Sequence, residues 1–303
     1  MLQIQIGDTL ITRVQDYEGP GFAPEEMFVN YQPGQWQSER DWLVPRFYDP
    51  QANQVRTSIH SWLVRTPQHT VLIDACIGNH KPRPSIPRFN QRNEPWLERL
   101  AQAGAHPEQV DFVMCTHLHA DHVGWNTRLQ DGRWVPTFPN ARYLFTRAEY
   151  ERWDDRRPDY VPKPINQHVF ADSILPVVES GQMQLVDVGH TVDDALTVEA
   201  AHGHTAGHVK IRLQSGGEQA MFSGDTIHHP LQLPFPQLIS VFDENPEQAL
   251  QTRLDMLADC AEHGVLLMPT HFAAPYCCHV QADSGRTHQP SYRGRWHAYC
   301  EST

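Results

Sequence analysis

Apolar and polar positions alternate with period two at the start of the chain, where Leu2, Ile4 and Ile6 are separated by Gln3 and Gln5, and a strand-like run extends over residues 2–14. Such alternation predicts a strand with one buried face. Further runs of strand character, each closed by turn residues, fall at residues 57–65, 69–75, 110–116, 141–146, 183–188, 195–201, 207–213, 219–224 and 264–269. Helical patterns are fewer. They open at Glu94-Pro95-Trp96, at Thr146-Arg147-Ala148 and at Asn245-Pro246-Glu247. In the last, an Asn cap with Pro in the first turn predicts a long helix ending at about Glu262. Many strands with helices between and after them predict a layered α/β fold.

Three stretches follow neither period. Residues 15–54 mix Pro and Gly with scattered aromatics, Phe22, Phe28, Tyr31, Trp36, Trp42, Phe47 and Tyr48, while residues 78–95 and 152–170 are Pro-rich and polar. Loops this long are usually functional or disordered. The aromatic content of the first argues against disorder. It is expected to form an arm that walls a pocket or makes a homodimer contact, with a plain surface excursion as the alternative.

The densest chemistry lies in Thr116-His117-Leu118-His119-Ala120-Asp121-His122, directly after the apolar run Val110–Cys115. Imidazoles and a carboxylate packed this closely read as metal ligands where a strand ends. On an extended segment His117 and His119 point to one side and can share an ion, whereas Asp121 and His122 lie past the bend and face a neighbouring position. Two adjacent metal sites are the natural reading. Neutral imidazole and carboxylate suit zinc or iron, and the set needs no cysteine.

The pattern H-x-H-x-D-H after an apolar strand resembles the metallo-β-lactamase superfamily. Later segments fit the same likeness in the same order: His204 in Gly203-His204-Thr205-Ala206-Gly207-His208, Asp225 in Ser223-Gly224-Asp225, and His271 in Thr270-His271-Phe272. Asp74, in Val71-Leu72-Ile73-Asp74, resembles that family's supporting aspartate. The likeness covers residues 55–275 and implies a four-layer αββα sandwich, read here as one domain over 1–303. It implies that His117, His119 and His204 hold one divalent ion, that Asp121, His122 and His271 hold a second, and that Asp225 bridges them. Zinc is the expected metal, with manganese or iron as alternatives, and no other cofactor is expected.

The activity that this likeness implies is hydrolysis of a lactone or carboxylic ester by a hydroxide shared between the ions, with phosphotriesterase promiscuity. Asp121 is expected to take a proton during the reaction. His228 occupies the position where acyl-homoserine lactonases carry a tyrosine, and a neutral imidazole can donate a hydrogen bond as a phenol does. The segment Gly224–His229 looks closer to relatives of methyl parathion hydrolase. Thr116 and His208 are expected to orient ligands from outside. His190, Asp193 and Asp194 read as solvated turn residues, and His202, His229, Cys277 and Cys278 have no assigned role. An iron-dependent oxidoreductase of the same fold, or a metal-binding module without catalysis, are the alternative readings.

Composition narrows the partners. With 36 acidic against 24 basic residues and a net charge of −12, the chain lacks the basic face that a nucleic-acid partner requires. A small-molecule substrate is expected. No run reaches the ~18 apolar residues of a membrane span, and the first residues alternate where a signal peptide would be continuously apolar. A cytoplasmic location is the expectation. The six cysteines, Cys76, Cys115, Cys260, Cys277, Cys278 and Cys300, show no C-x-x-C spacing and read as reduced thiols.

Overall fold

The computed structural model describes residues 2–285 and 290–296, so Cys300 lies outside the described residues. In chain order its first half comprises β1 (Gln3–Ile6), β2 (Thr9–Pro20), α1 (Pro24–Met27), α2 (Pro33–Leu43), β3 (Tyr48–Asp49), β4 (Gln54–Arg65), β5 (Thr70–Ile73), α3 (Trp96–Gln102), β6 (Phe112–Met114), β7 (Thr127–Gln130), β8 (Arg133–Pro136), β9 (Arg142–Thr146), α4 (Arg147–Trp153), α5 (Leu175–Glu179) and β10 (Met183–Val186). The second half comprises β11 (Thr191–Val192), β12 (Leu196–Ala200), β13 (Val209–Ser215), β14 (Glu218–Phe222), α6 (Pro246–His263), β15 (Leu266–Met268), β16 (Cys278–Ala282) and β17 (Tyr292–Trp296).

One sheet runs β1-β2-β4-β5-β6-β9-β10 with β3 beside β4; the other runs β11-β12-β13-β14-β15-β16-β17. Alternation within the central strands explains why they face each other. In β5, Val71 and Ile73 point into the cluster between the sheets, whereas Leu72 points to the outer face packed under α3. In β14 and β15, Ala220, Phe222, Leu266 and Met268 enter the same central cluster, while Met221 and Leu267 meet α6 residues such as Met256 and Leu257. Every central strand therefore buries both faces, one against the opposite sheet and one against helices. The result is a four-layer αββα sandwich.

The sequence reading needs three corrections. The strand expected over residues 2–14 is a hairpin, because the chain reverses at Gly7, whose φ is +51°. The arm expected to be a loop over 15–54 begins as a continuation of β2 to Pro20 and contains the eleven-residue α2. Strands β3, β7, β8, β11, β16 and β17 fall outside the expected runs. The long helix is as expected: the Asn245 side chain accepts the Gln248 N–H at 3.2 Å, and Gly264 ends it with a φ of +65°.

The arm makes its own apolar cluster, in which Phe28, Trp36, Leu43 and Phe47 pack on Leu231, Leu238 and Ala273. His229 ties it down. Its Nε2–H donates to the Phe47 carbonyl at 2.9 Å and its Nδ1 accepts the Leu231 N–H at 3.1 Å, and burial pulls its pKa down to about 4. Cys76, Cys115, Cys260 and Cys278 are buried thiols without a disulfide, and Cys277 is buried between the sheets. No helix among the described residues is long and apolar enough to cross a membrane.

Candidate metal centre

Four connections at one edge of the sandwich bring the site together. His117, His119, Asp121 and His122 follow β6; His204 lies between β12 and β13; Asp225 follows β14; His271 follows β15. Parallel pairing of β14 with β15, and of β6 with β5 and β9, delivers the strand ends to the same side. Gly224 permits the tight exit from β14. Its φ is +49°, and a Cβ there would stand 2.7 Å from both His208 Nε2 and Thr116 Oγ1.

Two groups of donor atoms result. His119 Nδ1 lies 3.0 Å from both His117 Nε2 and His204 Nε2. Nitrogens each about 2.0–2.1 Å from one cation are themselves roughly 3 Å or a little more apart, so this spacing matches a shared ion. The second group joins His122, His271 and Asp121, with Asp121 oxygens 3.9 and 3.8 Å from the Nε2 atoms of His122 and His271. Asp225 lies between the two groups. Its Oδ2 is 3.4 Å from His204 Nε2 and 3.8 Å from His117 Nε2, while its Oδ1 is 3.1 Å from His122 Nε2 and 3.0 Å from His271 Nε2.

The outward faces of these rings decide what the inward faces offer. His122 donates its Nδ1–H to Asp74 Oδ2 at 2.8 Å, His204 donates to Asp243 Oδ1 at 3.0 Å, and His271 donates to the Ser58 carbonyl at 3.2 Å. In their neutral forms all three then aim an Nε2 lone pair inward, toward the carboxylate of Asp225, itself only an acceptor. His122 Nε2 and Asp225 Oδ1 are buried without a hydrogen-bond partner. A cation between such acceptors resolves the conflict, so the residues fit divalent metal ions.

Electrostatics agree with that fit. Burial holds the pKa values of His117 and His119 well below the ordinary imidazole value, which keeps them neutral lone-pair donors. Burial opposes protonation of His122 and His271 as well, yet the carboxylates around them, Asp225 foremost, outweigh it and raise both. Asp225 is pulled well below the usual carboxylate range: burial resists, but His122, His271 and His228 prevail. The negative field that these rings feel is the one a cation would neutralise.

A narrow slot opens above the two groups. His119, Asp121, Asp225, His228 and His271 line its polar end. Its apolar walls come from all three segments that lack periodicity: Phe22 and Met27 from the arm, Ile86 and Phe89 from residues 78–95, and Ile165 from residues 152–170, with Phe242 beside them. Of the arm, Gly21, Phe22 and Met27 reach the slot, while Phe28, Trp36, Leu43 and Phe47 pack in the separate cluster. His228 is buried, its Nε2 lies 3.3 Å from Asp225 Oδ2 without hydrogen-bond alignment, and neither ring nitrogen has a hydrogen-bond partner. Burial pulls its pKa below the ordinary imidazole value.

Most of the supporting expectations agree with the contacts. Asp74 accepts from His122, from the Thr116 N–H at 2.8 Å and from the Thr116 hydroxyl. His208 acts on backbone and not on a ligand ring: its Nε2 accepts the Asp225 N–H at 3.0 Å. Asp193 is a correction, since it is only part exposed and meets His69 Nδ1 at 2.6 Å, with Thr66 as a second partner. Asp243, Glu149 and the Ser58 carbonyl were not foreseen. Asp243 stands in a turn with no motif, and Glu149 reads as an ordinary acidic residue of α4.

Residues 55–281 match the sequence model of the metallo-beta-lactamase superfamily, and the chain belongs to that superfamily. A hydroxyacylglutathione hydrolase of Aeromonas hydrophila is 28% identical over 169 residues, which is 55% of this chain and 45% of that relative; the match thus spans less than half the relative's length. The crystal structure of the hydrolase AbOPH of the beta lactamase superfamily superposes with a TM-score of 0.78 at 28% identity, over 96% of this chain and 95% of that one. AidC, a dizinc quorum-quenching lactonase seen with N-hexanoyl-L-homoserine, superposes with a TM-score of 0.80 at 19% identity, over 98% of this chain and 97% of that one, and so shares the fold.

Proposed function

We propose that this member of the metallo-β-lactamase superfamily is a zinc-dependent hydrolase of lactones or carboxylic esters, with phosphotriesters as secondary substrates. The observation that carries the reading is the Asp225 carboxylate set between two groups of inward-facing imidazoles at the floor of an apolar slot. His117, His119 and His204 would hold one ion, Asp121, His122 and His271 the other, and Asp225 would contribute one oxygen to each. Bound there, divalent cations polarise a carbonyl or phosphoryl oxygen and bring the pKa of water from about 15.7 to near 7.

The chain's own residues supply the rest. Asp74, Asp243 and the Ser58 carbonyl fix the rings so that only their inward nitrogens are free. Asp121, at 8% exposure on the polar end of the slot, is placed to accept a proton from water. His228, neutral and without a partner, is placed to donate a hydrogen bond to a substrate oxygen. Phe22, Met27, Ile86 and Phe89 exclude water and take up an apolar acyl or alkoxy group.

Metal analysis of the purified protein with a panel of lactones, carboxylic esters and phosphotriesters tests this. Near two zinc ions per chain, with hydrolysis lost on chelation and restored by zinc, is the expected result. Full hydrolysis without metal, or iron with oxygen consumption in place of hydrolysis, would overturn it.

A further inference from the structure

Arg88 is half-buried, and it differs from the arginines around it in having no acidic partner. Arg83 meets Asp172 through two hydrogen bonds of 2.7 Å, Arg92 meets Asp16, and Arg253 donates to three carbonyls and to Asp243. Arg88 makes no ion pair with any described residue; its Nε is buried without a hydrogen-bond partner, as are those of Arg83 and Arg92, but unlike theirs its guanidinium meets no carboxylate. Packing fixes it. Its guanidinium carbon sits 4.0 Å from the centroid of the Phe22 ring and 5.2 Å from that of Phe89, and both rings are walls of the slot. Among the described residues, no lysine and no other arginine lines that slot.

A guanidinium stays charged at any working pH, so partly desolvating it beside two aromatic rings without an anion leaves a charge that a bound carboxylate would pair. Burial weakens its hold on its proton, and Asp121, acting on it at a distance, restores part of that hold. A guanidinium stacked on rings keeps its in-plane N–H edge for an acceptor. A planar carboxylate matches that edge with two parallel hydrogen bonds, whereas a tetrahedral dianion calls for more cationic lining than one side chain provides. The apolar walls fit the remainder of such a ligand.

We propose that Arg88 is the specificity-determining residue of this slot, and that it binds a free carboxylate carried on an apolar spacer by the same substrate that presents the scissile ester. The ester part of this proposal rests on the hydrolase reading above; the carboxylate recognition does not. Arg88 selects by charge and takes no part in bond breaking, so its effect falls on KM and on ligand binding, with kcat little changed.

The test compares monomethyl esters of straight-chain dicarboxylic acids with the corresponding dimethyl esters. In parallel, calorimetry on the protein as purified compares the non-scissile monomethylamides, which keep the free carboxylate, with the neutral bis-methylamides. Wild type is expected to prefer the carboxylate-bearing member of each pair. Arg88→Met should weaken that member roughly 10- to 100-fold, the scale of a charge-assisted hydrogen bond, and leave the neutral member within about threefold. Arg88→Lys, which keeps the charge, should recover part of the preference. Equal loss on both members, or none on either, would overturn the assignment and make Arg88 a wall only. Binding discrimination without cleavage of any ester would sink the hydrolase reading and leave Arg88 assigned; metal-dependent cleavage whose charge preference ignores Arg88→Met would do the reverse.

Discussion

The carboxylate of Glu149 accepts the backbone N–H of Leu118 at 3.0 Å, between the two imidazoles of His117 and His119. The same oxygen accepts the Trp153 indole N–H at 2.6 Å, and the second oxygen accepts the Thr205 hydroxyl at 2.7 Å and the Gly207 N–H at 3.0 Å. One buried side chain on α4 thus pins two loops that β-sheet pairing alone would leave free: the one carrying His117 and His119, and the one carrying His204. Burial raises its pKa while these four donors draw it back down.

Replacing Glu149 with Gln turns one of those two oxygens into an NH₂ that faces donors. The expected cost is about 2–4 kcal/mol, since each buried donor left unsatisfied costs about 1–3 kcal/mol. Chemical denaturation reads the loss, and metal analysis should show weaker occupancy of the group containing His119 and His204. A variant as stable as wild type with full metal content would show that the loops hold themselves.

Asp225→Asn keeps the shape of the side chain and removes its charge. Because Oδ1 faces His122 and His271 while Oδ2 faces His117 and His204, the amide offers one oxygen where two are used. Metal content should fall at one group and turnover by at least about a hundredfold, the loss of several kcal/mol of charge stabilisation. Two bound ions with full turnover would refute the role.

The two ligand groups should separate experimentally. His271→Ala is expected to release chiefly the ion shared with Asp121 and His122, and His204→Ala the ion shared with His117 and His119. Metal titration of each variant, read by calorimetry, should show one tight site remaining in both. Both ions lost from both variants would mean a single cooperative centre.

Lys81 gives a pH-dependent stability remote from those groups. It is fully buried, donates to Thr127 Oγ1 at 2.5 Å and to the Asp172 carbonyl at 2.9 Å, and its pKa is pushed from 10.5 down to about 7, by burial first, with Arg83 adding to the effect and Asp172 opposing it. Arg83 already pairs with Asp172, so the ammonium is not needed to balance that carboxylate. Below pH 7 folded and unfolded chains both carry the proton. Between about 7 and 10.5 only the unfolded chain does, so this group makes stability rise with pH across that window and level off above it. The urea midpoint of Lys81→Met measured against wild type at pH 6, 8 and 9.5 should show the variant gaining most at pH 6 and its relative advantage shrinking as pH rises. A difference that does not change with pH would refute the shift.

The layered fold was legible in the chain because buried strands and a capped helix write their periods locally: Val71, Leu72 and Ile73 announce a strand covered on both faces, and Asn245-Pro246 announces a helix start. The residues of both histidine groups were legible for a related reason, since imidazoles at that spacing have no other common use. Some signals were present and passed over. Asp131-Gly132, with φ of +50° and +75°, is a hairpin turn joining β7 to β8. The helix α2 could not be read, because its buried residues, Trp36 and Leu43, are too few to set a period, and it forms against Leu231 and Leu238 far along the chain. Only the tertiary structure decided which partners fix the imidazoles. Asp74 and His122 are 48 positions apart, Asp243 and His204 are 39, and Glu149 and Gly207 are 58. A hydrogen bond between such residues depends on where two sheets and a helix meet, and a sequence carries periodicity along one element but no record of the distance between two.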